Sequence, residues 1–141
     1  MPTLSSAINA SATGLDAQRA RMEVAISNMA NAESTHSADG QPYRRREVVL
    51  ESRPFESSFD PAADAVHGVR VAGVLEDQAP FMRRYEPGHP DADPEGYVAV
   101  PNVDVPEEMV DMVSAARAYQ ANLTAISLIR DTIQRALELA K

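Results

Sequence analysis

The sequence predicts an α+β fold: a long helix at each end, packed together as an antiparallel, coiled-coil-like pair, with a small β-rich segment between them. Three observations predict it. Apolar residues recur at seven-residue or alternating four- and three-residue steps near both termini. Most of the prolines and glycines fall between residues 33 and 103. Short runs rich in β-branched residues lie in that same stretch. The expected division is a helical unit from residues 1–33 and 104–141 and a β-rich unit with loops over 34–103.

The first helix is expected over residues 4 to about 31. Ile8, Leu15, Met22 and Met29 follow one another at seven-residue steps, and Leu4, Ala12, Ala25 and Ile26 widen the stripe. Asp16, Arg19, Arg21 and Glu23 fall elsewhere on the helix. Gly14 costs on the order of 1 kcal/mol against Ala inside a helix, and a close helix–helix approach at that point would compensate. The helix is expected to end near Asn31, before Glu33-Ser34-Thr35.

Four short strands are expected next. Tyr43–Glu51, Gly68–Leu75, Phe81–Tyr85 and Tyr97–Val100 carry the β-branched and aromatic residues, and together they suit one small sheet or ribbon. Turn chemistry bounds them at Asp39-Gly40-Gln41-Pro42, Glu86-Pro87-Gly88-His89-Pro90 and Asp93-Pro94-Glu95-Gly96. Residues 53–66 read as a loop.

The last helix is expected from Val105 onward. Val105, Met109, Met112, Ala116, Tyr119, Leu123 and Ile126 alternate steps of four and three, an apolar seam of about three heptads. Arg130 interrupts it with Ile129 alongside, and Ile133, Leu137 and Ala140 resume it. Asp104 is placed as N-cap, Glu107 completes a capping-box-like pattern, and Pro106 sits in the first turn where its missing N–H costs nothing. Glu107 and Glu108 suit the positive end of the helix dipole.

Neither helix can bury its seam alone. Pairing the two antiparallel solves this and leaves further seams for neighbouring molecules; a monomeric helical hairpin with no role in assembly would satisfy the same periodicity. Asn28, Asn31, Gln120 and Asn122 add amides that can fix the register of such an interface.

Composition narrows the function classes. Net charge is −8, from 21 acidic against 13 basic residues. The one basic run, Arg44-Arg45-Arg46, is followed at once by Glu47, so it reads as a solvated strand edge; neither a nucleic-acid nor a membrane-surface partner is expected. There is no cysteine, which excludes disulfides, thiol catalysis and thiolate metal sites. No apolar run approaches the roughly 20 residues of a bilayer span, so no membrane insertion is expected. The N-terminal residues lack the pattern of a cleaved secretory signal.

Candidate chemistry is thin. Asp91-Ala92-Asp93-Pro94-Glu95-Gly96 resembles the start of a calcium loop, but the twelfth position is Asn102 and Pro94 stiffens the turn, so an acidic turn is the better reading. His36, His67 and His89 are scattered, and Ser34, His36 and Asp39 are too close in sequence to suggest a triad. No phosphate loop and no nucleophile elbow occur. No enzyme activity, metal or cofactor is expected. The rival reading is a soluble small-ligand or calcium-binding domain using the 84–100 loops.

One resemblance adds to these readings. Ser11-Ala-Thr-Gly14-Leu15-Asp-Ala-Gln18 and Ser27-Asn28-Met29-Ala30-Asn31-Ala32 resemble the N-terminal signature of flagellar axial proteins, the rod, hook and hook-associated subunits. Asp39–Arg44, Gly68–Val71, Tyr85–Pro90, Glu95–Val98, Pro101–Val105 and Glu108–Asn122 resemble the proximal rod members of that family. Tyr85 to Asn102 argues against the second alternative, a distal rod paralogue. Met29 replaces the familiar leucine, Ser114-Ala-Ala-Arg117-Ala-Tyr119 departs slightly from the usual motif, and the chain from Thr124 on fits loosely.

The resemblance implies a structural subunit of the periplasmic rod, a drive shaft and export channel for motility. The helices would form an inner domain and the β segment an outer one. Export through the flagellar type III apparatus without a cleaved signal would precede assembly. Implied partners are other rod subunits, further copies of this chain, the rod-base adaptor and the export gate. The residues expected at assembly contacts are Leu4, Ile8, Leu15, Met22, Ile26, Asn28, Met29 and Asn31 on the first helix. On the last they are Met109, Met112, Tyr119, Gln120, Asn122, Leu123, Ile126, Ile133 and Leu137.

Overall fold

A computed structural model describes residues 4–37, 40–54 and 67–139. The elements in order are α1 (Leu4–Ala30), β1 (Arg46–Pro54), β2 (His67–Glu76), β3 (Met82–Tyr85), β4 (Tyr97–Val100) and α2 (Val105–Leu139). The fold class is the α+β arrangement that the sequence predicts: two long terminal helices with small antiparallel sheets between them.

The helix ends follow local chemistry. At α2 the carbonyl of Asp104 accepts the first helical bond, from Glu108 N at 3.0 Å, which makes Asp104 the N-cap residue. At the end of α1 the Asn31 amide donates to the Ser27 carbonyl at 2.8 Å, satisfying one of the carbonyls a helix end leaves orphaned.

The helices run antiparallel, and α1 against α2 is the most extensive contact between elements. Asn28 meets Glu108, and Gly14 lies against Asn122. These two crossings are fourteen residues, or two heptads, apart on each helix. Carried on, the same register sets Leu4 opposite residue 132. Leu137 and Leu139 therefore project past the described start of α1, and both are exposed.

The buried seam of α2 differs from the expected one. It runs Glu108, Met112, Ala115, Tyr119, Asn122, Ile126, Ile129 and Ile133, all buried or partly covered. Met112, Tyr119, Ile126 and Ile133 lie in it as expected, but the alternate positions fall one residue earlier. Met109, Ala116 and Leu123 are exposed. Periodicity alone favours the large apolar residue of each adjacent pair; here Glu108 takes an inner place because Asn28 and Arg45 satisfy it, and Asn122 takes one against Gly14. Arg130 interrupts nothing; it is exposed, and Ile129 occupies the seam. Ala140, expected at the end of the stripe, lies outside the described residues.

On α1 the fully buried residues are Ala17, Ala25 and Asn28, and the bulky stripe Ile8, Leu15, Met22 and Met29 is only partly covered. The helix also supports β2, because the Thr13 hydroxyl accepts from Val69 N at 3.1 Å.

The strands form two separate two-stranded sheets, not one. β1 and β2 pair from Arg46 opposite Glu76 to Pro54 opposite His67, with a register change between Val49 and Leu50 that leaves Ala72 bulged. β3 and β4 pair from Met82 opposite Val100 to Tyr85 opposite Tyr97. An Asp77 turn separates the sheets: its carboxylate accepts from Ala79 N at 2.8 Å, and Pro80 follows. The Arg44 guanidinium pins this corner, donating to the Asp77 carbonyl at 3.1 Å and stacking 4.5 Å from the Phe81 ring centre. Of the loop expected over 53–66, Arg53 and Pro54 belong to β1, and residues 55–66 lie outside the described residues.

Candidate functional site

Two features stand out: a buried polar joint between α1, α2 and β1, and an uncovered apolar face on α2.

Asn28 is the centre of the joint. Its side chain is almost wholly buried, yet each of its polar atoms has two partners. Nδ2 donates to the Arg46 carbonyl at 2.9 Å and to Glu108 Oε2 at 3.0 Å. Oδ1 accepts from Arg46 N at 2.9 Å and from the Tyr43 hydroxyl at 2.9 Å. The amide thus pairs with the backbone of Arg46 as a neighbouring strand would, and holds the start of β1 against α1. Glu108 is equally buried, and its other oxygen accepts from Arg45 Nε at 2.6 Å. Burial alone would lower the Arg45 pKa; the hydrogen bond and charge of Glu108 outweigh it, and the guanidinium is held above its usual value. Among the described residues no buried side-chain polar atom lacks a partner, as a buried polar network requires.

The basic run Arg44-Arg45-Arg46 is therefore not a solvated strand edge. Arg44 pins the Asp77 corner, Arg45 pairs with Glu108, and Arg46 reaches Glu76 at 3.4 Å beside the Tyr43 ring. Glu108 is likewise set by Arg45 and Asn28 and not only by the helix dipole. These residues escaped sequence reading, although one trace of them was legible. An acid at position 108 sits on the same four–three line as Met112, Ala115 and Tyr119, and a buried acid demands a cationic or amide partner.

The apolar face of α2 is the second feature. Met109, Val113 and Leu123 stand exposed beside the seam, and Val110, Leu128 and Leu139 stand exposed further round. Val110 and Leu128 are five whole turns apart, at 3.6 residues per turn. Met109, Val110, Val113, Ser114 and Arg117 line a shallow open concavity.

The residues expected at assembly contacts divide by position. Leu4, Ile26, Met109, Leu123 and Leu137 are exposed large apolar residues, and Gln120 is exposed. Ile8, Leu15, Met22, Met29, Asn31, Met112, Tyr119, Asn122, Ile126 and Ile133 are partly covered. Asn28 alone is wholly interior, bonded to its own chain.

The 84–100 loops are occupied with their own geometry. Asp93 accepts from the N–H groups of Glu95 and Tyr97, each at 2.9 Å, and pairs with Arg83 at 2.5 Å. Its carboxyl is held below the usual range, first by the Tyr97 N–H and then by Arg83 and Glu95 N–H, against the opposing effect of burial. Asp91 accepts from the Thr35 hydroxyl at 2.8 Å, tying this turn to the segment after α1. Among the described residues no three His, Cys, Asp or Glu side chains converge as metal ligands. No helix among them is long and apolar enough to cross a membrane.

The chain is similar to known proteins over nearly its whole length. Residues 95–139 match the family described as "Flagellar basal body rod FlgEFG protein C-terminal". Proteins named "Flagellar basal-body rod protein FlgC" are similar throughout. The one from Escherichia coli O6:H1 is 46% identical over 92% of each chain. That from Bacillus subtilis is 42% identical over 95% of this chain and 96% of its own. That from Borreliella burgdorferi is 40% identical over 96% and 97%. With identity of this order along the full fold, the chain belongs to the FlgC family of flagellar basal-body rod proteins.

Proposed function

We propose that this protein is a structural, non-catalytic subunit of the proximal rod, polymerising with other rod subunits and with copies of itself into the periplasmic shaft. The helical unit of residues 1–33 and 104–141 forms its inner domain, and residues 34–103 form the smaller outer one. The rod-base adaptor and the export gate bound it at one end, and the flagellar type III apparatus exports it without a cleaved signal. The names of its relatives support the rod assignment.

One observation in the fold carries the mechanical reading. The fully buried apolar residues of the helix pair are small, Ala17, Ala25 and Ala115, whereas large apolar residues of α2 face outward. A helix apolar beyond the stripe its partner covers needs a second cover. Each large side chain then buried against a neighbour adds roughly 1.5–3 kcal/mol. Repeated heterologous contacts of this kind build an open helical array.

The test is rod incorporation. Met109→Asp and Leu123→Asp should yield expressed, exported, helical protein that is absent from purified basal bodies, in cells that do not swim. Normal swimming in both variants would overturn the reading.

A further inference from the structure

The helix pair has a register problem. Ile8, Leu15, Met22 and Met29 repeat every seven residues, and the seam of α2 repeats with the same period. The fully buried apolar residues of the pair, Ala17, Ala25 and Ala115, are small, and Gly14 lies against Asn122. A one-heptad displacement returns the large apolar residues of both helices to equivalent heights, so the alignments differ at the small and polar positions, Gly14 against Asn122 and the joint at Asn28.

The polar joint breaks that equivalence. Asn28 is fixed to the backbone of Arg46 through both its nitrogen and its oxygen, so its remaining N–H points to one place. Glu108 takes that N–H with one oxygen and Arg45 with the other. Displace α2 by seven residues one way, and Ala115 replaces Glu108 beside Asn28 and Arg45. Displace it the other way, and Glu108 moves to the level of Arg21 while Pro101 takes its place. Either slip takes Glu108, the close carboxylate, from Arg45, whose other carboxylate contact, Asp111, lies at 4.0 Å, and leaves the amide without its acceptor.

We propose that the Asn28–Glu108–Arg45 joint is a register key, which selects one axial alignment of α2 on α1 and β1 from those the heptad repeat allows. The joint therefore sets the height of Met109, Val113 and Leu123 relative to the β hairpins. It acts within one chain and does not depend on the rod assignment, so it is tested in the isolated protein.

The chain has no native cysteine. Spin labels on Glu23→Cys and Ser127→Cys, both exposed positions offset along the pair, therefore report the alignment by pulsed electron resonance. The otherwise native chain should give one narrow distance. The Arg45→Leu/Glu108→Leu variant removes the key and leaves an apolar seam. It should keep its helical circular dichroism but show at least two distances. A one-heptad slip shifts the axial offset by about 10 Å, at 1.5 Å per residue. A single unshifted distance in this variant would overturn the proposal, as would loss of its helical signal, which would make the joint a stabiliser and not a selector. A native chain without one narrow distance would also overturn it.

Discussion

A Cβ built on Gly14 of α1 would lie 2.8 Å from Nδ2 of Asn122 on α2. The glycine is therefore matched to the amide facing it, and the sequence cost of Gly14 is offset by close approach. Gly14→Ala should gain helix propensity of about 1 kcal/mol, but in the native chain Asn122 must swing aside and the gain should vanish. In an Asn122→Ala background the gain should reappear. Urea unfolding of the four proteins in this double-mutant cycle measures it; equal effects of Gly14→Ala in both backgrounds would refute the match.

Glu108→Leu should destabilise the chain by about 3 kcal/mol, because Arg45, in a mostly sheltered place, loses its hydrogen-bonded partner and keeps only Asp111 at 4.0 Å. Adding Arg45→Leu should restore part of that loss, since it removes the orphaned charge and leaves only one Asn28 N–H without its acceptor. Denaturant midpoints of the single and double variants decide it.

The turn between β3 and β4 should loosen in acid. Asp93 titrates below the ordinary 3.8 because the folded turn favours its charged form. The unfolded state then binds more protons in this range, so the contribution is present above that value and is lost as pH falls through the lower, folded pKa. The Tyr97 amide resonance should report a midpoint below 3.8, and Asp93→Asn should abolish the step. Arg45 adds no such step, since its pKa is raised further above the accessible range.

Gly96 stands at φ 84°, and a Cβ there would lie 2.9 Å from the Tyr85 ring and 3.1 Å from Pro87. Gly96→Ala should cost about 1–3 kcal/mol of local strain and disturb the edge-to-face contact of Tyr85 with Tyr97, whose centroids are 5.3 Å apart. Amide exchange confined to β3 and β4 would show it; unchanged protection there would not fit.

Inner and outer faces of α2 should separate cleanly by phenotype. Ala115→Leu overfills a fully buried position and should lower stability by about 1–3 kcal/mol. Leu123→Asp, at an exposed position, should shift stability by about 0.5 kcal/mol or less while blocking incorporation. Thermal melts of both variants, set beside basal-body content, give the comparison.

The sequence by itself determined the elements. Heptad spacing placed the end of α1 at Ala30 and the start of α2 at Val105 within a residue or two, because apolar periodicity and Pro or Asn punctuation are local properties. The β-branched runs located the four strands found among the described residues for the same reason. The motifs around Gly14, Asn28 and Tyr119 indicated the family. Tertiary structure alone decided which line of each helix turned inward. Periodicity cannot choose between Met109 and Glu108 at adjacent positions, since apolar size favours the first and only a distant partner permits the second. Glu108 lies 80 residues from Asn28 and 63 from Arg45. A buried carboxylate is tolerated only where such groups converge, and that convergence exists only once the chain has folded.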